Sequence, residues 1–172
     1  MCIYLKNYFR TIIKVLKNSL TNYSFGAVAA IITNLALIFG FNNNTNSKYN
    51  IIGSLLVIAL ADNISDSLGI HIHQEAEGPN VRGVWYSTII NFSTRLCTSL
   101  VFITIVIFTD NHLAKILSMV YGLTILTVIS YIIAQKRHLK PQNLIIEHIA
   151  VAIFVMFISK SLNNWISVHF LK

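Results

Sequence analysis

The sequence predicts an all-α, polytopic membrane protein: five transmembrane helices, N-terminus in the cytoplasm, preceded by a basic amphipathic helix. Three observations predict it. Of the 172 residues, 55% are hydrophobic and 11% charged, against roughly 25% charged in soluble domains. The apolar residues gather into five runs, each close to the ~20 residues that cross ~30 Å of hydrocarbon as a helix. The connections are short and polar, with no room for a soluble domain. Backbone groups find no water in lipid, so separated spans of this length are helices.

Residues 1–22 form the first unit. Leu5, Phe9, Ile12, Ile13, Leu16 and Leu20 recur at helical spacing, and Lys6, Arg10, Lys14 and Lys17 take much of the remaining surface. That pattern fits an interfacial helix that anchors the chain's orientation. Residues 23–172 form one transmembrane domain, with spans at 24–41, 51–71, 85–109, 113–134 and 144–170. The polar stretch 42–49 separates the first two spans. Gly78, Pro79 and Asn80 break the chain after the second, and Pro141 helps to break it after the fourth. No small-residue cleavage site follows the first run, so no removable signal peptide is expected.

Loop cations set the orientation. With the N-terminus inside, the inner segments hold Lys6, Arg10, Lys14, Lys17, Arg82, Lys136, Arg137 and Lys140, and the outer ones hold Lys48, Lys115 and Lys172. The formal charge of +7 follows this topology and implies no nucleic-acid partner. The expected partner surface is the lipid bilayer: the cell membrane in a bacterium, an organelle membrane otherwise. Cys2 and Cys97 have neither a disulfide framework nor metal-site spacing.

The second span carries the chemistry. Asp62 and Asp66 lie inside an apolar run and four residues apart, hence on one helix face. A carboxylate at bilayer depth costs about 2.5–3.5 kcal/mol on insertion scales, so it signals a use or a partner. Continued to Glu77, the helix lines up Asp62, Asp66, Gly69, His73 and Glu77 within an arc of about 80°. Carboxylate oxygens replace part of a cation's hydration shell, His73 and Glu77 would gather ions at the mouth, and Gly69 would let another helix approach. The competing reading is a structural ion pair with Arg95 of the third span. His71 and Glu75 point the opposite way and read as a solvated or headgroup pair. Glu147 and His148 are expected to snorkel. Lys160 lies deeper in the fifth span, and Asn34 is expected to hydrogen-bond between helices. No nucleophile-and-base set, helical metal motif or phosphate loop marks an enzyme.

Residues 61–77 read ADNISDSLGIHIHQEAE. This stretch resembles the vacuolar iron transporter family, whose second span runs approximately A-D-x-x-S-M-x-x-G-x-x-x-x-x-x-A-E. Ala61, Asp62, Ser65, Gly69, Ala76 and Glu77 match it. In the first span, Gly26, Leu35, Leu37 and Gly40 fall in register with the family pattern G-x-x-D-G-x-x-x-x-L-x-L-x-x-G. The resemblance implies a divalent metal transporter of iron or manganese type that moves ions out of the cytoplasm, by proton antiport. It also implies a homodimer with the path near the subunit interface. The metal is the substrate, and no cofactor is expected.

Departures accompany the matches. The family's first-span aspartate falls at Ala29, and its second-span methionine falls at Asp66. Its third span carries a glycine and a proline where this chain has Arg95 and Ser99. The family's glutamate-rich cytoplasmic metal-binding domain has no counterpart in the short segment 78–83. One consequence is compensation: a carboxylate moved from the first helix to the second, shifting preference toward Mn²⁺, Mg²⁺ or Ca²⁺. The other is a transport-inactive homologue that serves as a membrane scaffold or partner-binding subunit.

Overall fold

The computed structural model describes residues 23–41, 47–78 and 81–170, and the expected amphipathic helix over 1–22 lies outside them. Five helices account for nearly all described residues: α1 Tyr23–Gly40, α2 Ser47–Ala76, α3 Val81–Phe108, α4 Asn111–Arg137 and α5 Pro141–Phe170. Each is long and apolar enough to cross a membrane. No strand occurs among the described residues.

All five expected runs are helical, and α2 to α5 begin ahead of the apolar stretches read from the sequence. Local chemistry, more than apolarity, sets the ends. Gly78 stops α2 with φ of +76°, a backbone region that glycine enters without penalty. Asp110 caps α4 by accepting from the Leu113 N–H at 2.8 Å. His138 ends α4 in the left-handed region (φ 55°, ψ 33°), and the Leu139 N–H then reaches the Ala134 carbonyl at 3.0 Å. Pro141 opens α5, where a missing N–H breaks no helical bond.

The helices α2 and α3 pair as one hairpin, and α4 and α5 as another. Helix α1 lies between these units. Its Ile31, Leu35 and Ile38 join Leu55 of α2, Phe102 of α3 and Met156 of α5 in one apolar core. The face that α4 buries is a ladder at steps of four: Ala114, Ser118, Gly122, Leu126, Ser130 and Ala134. Small side chains there let α1 come close. A Cβ on Gly122 would stand 3.0 Å from Leu35 Cδ1 and 3.2 Å from Ile31 Cγ2.

Two of the three cations assigned to the outer side close helix ends. Lys48 Nζ donates to the carbonyls of Ile107 and Thr109 at 2.9 and 3.0 Å. Lys115 Nζ donates to the Phe41 carbonyl at 2.8 Å. The last carbonyls of a helix lack partners within it and carry the negative end of its dipole, so an ammonium satisfies both needs. The α1 C-terminus also fixes the level of Lys160: a Cβ on Gly40 would lie 3.7 Å from Ser159 Cβ. Lys160 therefore stands level with the end of α1, and the rest of α5 projects beyond that end.

Candidate functional site

The polar stripe of α2 meets a polar stripe of α3 near the middle of both helices. On α3, Asn91, Arg95 and Ser99 recur at steps of four and are all buried. On α2 the matching positions are Asp62, Asn63, Asp66 and Ser67. Arg95 is the centre. Its side chain is 1% exposed, the largest of the fully buried ones. Nη2 donates to Asp62 Oδ2 at 2.5 Å, and Nε donates to Asn63 Oδ1 at 2.8 Å. Nη1 meets Asp66 as an ion pair that is not aligned as a hydrogen bond. A planar guanidinium presents several donors in one fork, which lets one side chain bridge two carboxylates and an amide.

Helical spacing explains the cradle. Residues i, i+1 and i+4 share one side of a helix, so Asp62, Asn63 and Asp66 surround a single partner. Asn63 is held in place from below: its Nδ2 donates to the Ala59 carbonyl at 2.6 Å. One turn along α3, Asn91 Nδ2 reaches Ser67 Oγ at 3.4 Å. In the other direction Asn34 of α1 donates to Ser99 Oγ at 3.0 Å, the interhelical bond expected of Asn34. Gly26 of α1 seats the layer. A Cβ there would fall 2.7 Å from Asn91 Oδ1, 2.9 Å from the Asn91 carbonyl oxygen and 3.2 Å from Arg95 Cγ.

The layer is asymmetric. Toward the α1 C-terminus the apolar core of Leu35, Leu55, Phe102 and their neighbours closes it off. On the other side the two carboxylates are each 39% exposed. An open groove of ≈ 630 Å³ runs from Asp66 past Ser65, Gly69 and Ile70 to His73 and Gln74, with Phe25 of α1 on its wall. Two carboxyl groups thus share one guanidinium.

The sequence-predicted residues divide between this layer and the helix end. Asp62, Asp66 and Arg95 are brought together. Gly69 and His73 line the groove, and a Cβ on Gly69 would meet nothing within 4 Å, so among the described residues no helix makes the approach expected there. Glu77 lies beyond, beside His73 at 3.5 Å, and both side chains are exposed. His71 departs from its solvated reading. It is packed on α3, with Thr88 Oγ1 at 3.0 Å, the Trp85 ring centroid at 4.5 Å and a side-chain exposure of 12%. Of the other close approaches, Gly26 makes a tight one, whereas Gly40 makes ordinary contact. Sequence reasoning missed Asn63 and Asn91. Their signal was available: each is an amide within an apolar span, Asn63 next to Asp62 and Asn91 one turn from Arg95.

Among the described residues no group of three or more His, Cys, Asp or Glu side chains could hold a metal ion. A cation here would share Asp62 and Asp66 with Arg95 and draw its remaining ligands from water, hydroxyls or backbone oxygens. No family model, curated protein or solved structure matches the chain.

Proposed function

We propose that this chain is a multi-pass membrane transporter of cations, with divalent metal ions that prefer oxygen ligands as the substrate class. One observation carries the reading: the surplus carboxylate beside a buried arginine, at the inner end of an open groove. Asp62 alone matches the single charge of Arg95, and Asn63 accepts from its Nε. Asp66 adds charge beyond what Arg95 needs, and an uncompensated charge at bilayer depth is expensive. A proton or a metal ion would balance it. Exchange of one for the other, followed by release on the far side, is the elementary step of proton-coupled export. In this scheme Asp66 takes the cargo, Asp62 and Arg95 hold the site's geometry, and His73 and Glu77 lie on the approach. The resemblance to vacuolar iron transporters in residues 61–77 points the same way, as does the cytoplasmic side that the loop cations predict for the groove's mouth.

A second reading has its own support. Arg95 fills the space between the carboxylates that a metal would otherwise take, as expected of a transport-inactive scaffold. Proteoliposomes separate the two. Mn²⁺ flux, read with a dye on the far side, should be present in the wild type and fall at least tenfold in Asp66→Asn. The melting temperature of Asp66→Asn checks that the variant is folded. Wild-type vesicles no more permeable than empty ones would contradict the transport reading.

A further inference from the structure

A second polar cavity lies at the opposite end of the bundle. It holds ≈ 320 Å³ and is lined by Phe39 and Phe41 from the α1 end, His112, Lys115, Ile116 and Met119 from the first turns of α4, and Lys160 and Asn164 from α5. Four nitrogen-bearing side chains thus face one volume, and two of them are ammonium groups. Among the described residues no acidic side chain lines it. Of the two lysines, only Lys115 has a described partner, the Phe41 carbonyl, which removes none of its charge. Two ammonium groups facing one space repel each other, and an anion between them would turn that repulsion into attraction. The first turn of α4 opens here as well, and its dipole favours negative charge, part of which Asp110 already supplies at the N-cap. The nearest carboxylate on that turn, Asp110, is engaged in capping Leu113.

We propose that this cavity is a binding site for a phosphate anion, held by Lys115 and Lys160, with His112 and Asn164 as further donors. The phosphate could come from a lipid headgroup or from solution, and the lining favours the headgroup. Phe39, Phe41, Ile116 and Met119 supply an apolar wall beside the cations, which suits a diester carrying acyl chains better than a free ion. The level of the cavity agrees. It sits at the C-terminus of α1 and the N-terminus of α4, where a spanning helix meets the headgroup layer. The site stands apart from the Arg95 layer and does not depend on the transport reading.

The full chain in lipid nanodiscs tests it. Native mass spectrometry after exchange from phosphatidylglycerol nanodiscs should retain about one phosphatidylglycerol per chain, and phosphatidylcholine nanodiscs should leave far less. Lys160→Gln should lower retention at least fivefold with little change in melting temperature, since Lys160 closes no helix end. Lys115→Gln should lower retention too, with some loss of stability because it also frees the Phe41 carbonyl. Inorganic phosphate at millimolar concentration, added to protein in neutral detergent, provides the second arm. Stabilisation by inorganic phosphate in the wild type but not in Lys160→Gln would keep the site and assign it to a soluble phosphate. Equal phosphatidylglycerol retention by the wild type and Lys160→Gln, with no phosphate effect on either, would overturn the proposal.

Discussion

At Arg95, desolvation and pairing oppose each other. Burying a guanidinium is expensive, and the expense is offset only by good geometry and by partners for its donors. Here Asp62, Asn63 and Asp66 supply those partners from two adjacent turns of one helix. Removing the arginine should therefore do more harm than removing one acid. Arg95→Ala leaves two carboxylates without a counter-charge and should destabilise by about 3–5 kcal/mol, the range for breaking a buried pair. Arg95→Lys keeps the charge but not the fork, so its loss should be intermediate. Thermal unfolding in a mild detergent checks the order. An Arg95→Ala protein as stable as Asp62→Asn would mean that the arginine is not the keystone of the layer. The pairing of Arg95 with the acids was legible in the sequence, because a charge inside an apolar run needs a partner. That one guanidinium takes both acids, and an amide besides, was not. It depends on the rotation of α3 against α2, which no spacing within either helix specifies.

Among the helices, close approach is concentrated where α1 crosses α3 and α4. Gly26 and Gly69 both matched the pattern that suggested helix contact, yet they behave oppositely. A methyl at Gly26 would strike a backbone oxygen and a buried amide, neither of which can swing away. Gly26→Ala should cost roughly 1–3 kcal/mol, as overpacking does. Gly69→Ala meets open space and should be neutral, or stabilising by up to about 1 kcal/mol through helix propensity. Melting temperatures of the two variants, side by side, check the assignment, and equal losses would contradict it. The five helices were legible because an apolar run of spanning length has one stable state in lipid. The helix ends were less so. They rest on capping details such as Asp110, His138 and the lysines that reach across to foreign carbonyls. The burial ladder of α4 carried a signal of its own in small residues at steps of four, but its weak amphipathic contrast hid it among residues that face lipid.

The molecule as a whole is divided along its long axis. An apolar core closes one half, a charged layer crosses the middle, and an open groove leads out of the other half. Helix α5 buries only Ala152 and Met156 of its own length, so its exterior suits acyl chains. This division leaves the charged layer open on the groove side, with the apolar core on the other. Arg95 and Asp66, which lie 29 positions apart in the sequence, meet in this middle layer. The claim beneath the account is that Asp66 bears a charge which an exchangeable cation balances. Infrared difference spectroscopy of the lipid-reconstituted protein, perfused alternately with and without Mn²⁺, reads that carboxyl group directly. The account predicts a carboxyl-region difference band in the wild type that disappears in Asp66→Asn and survives in Glu77→Gln. Wild-type spectra that are identical with and without the metal would contradict it.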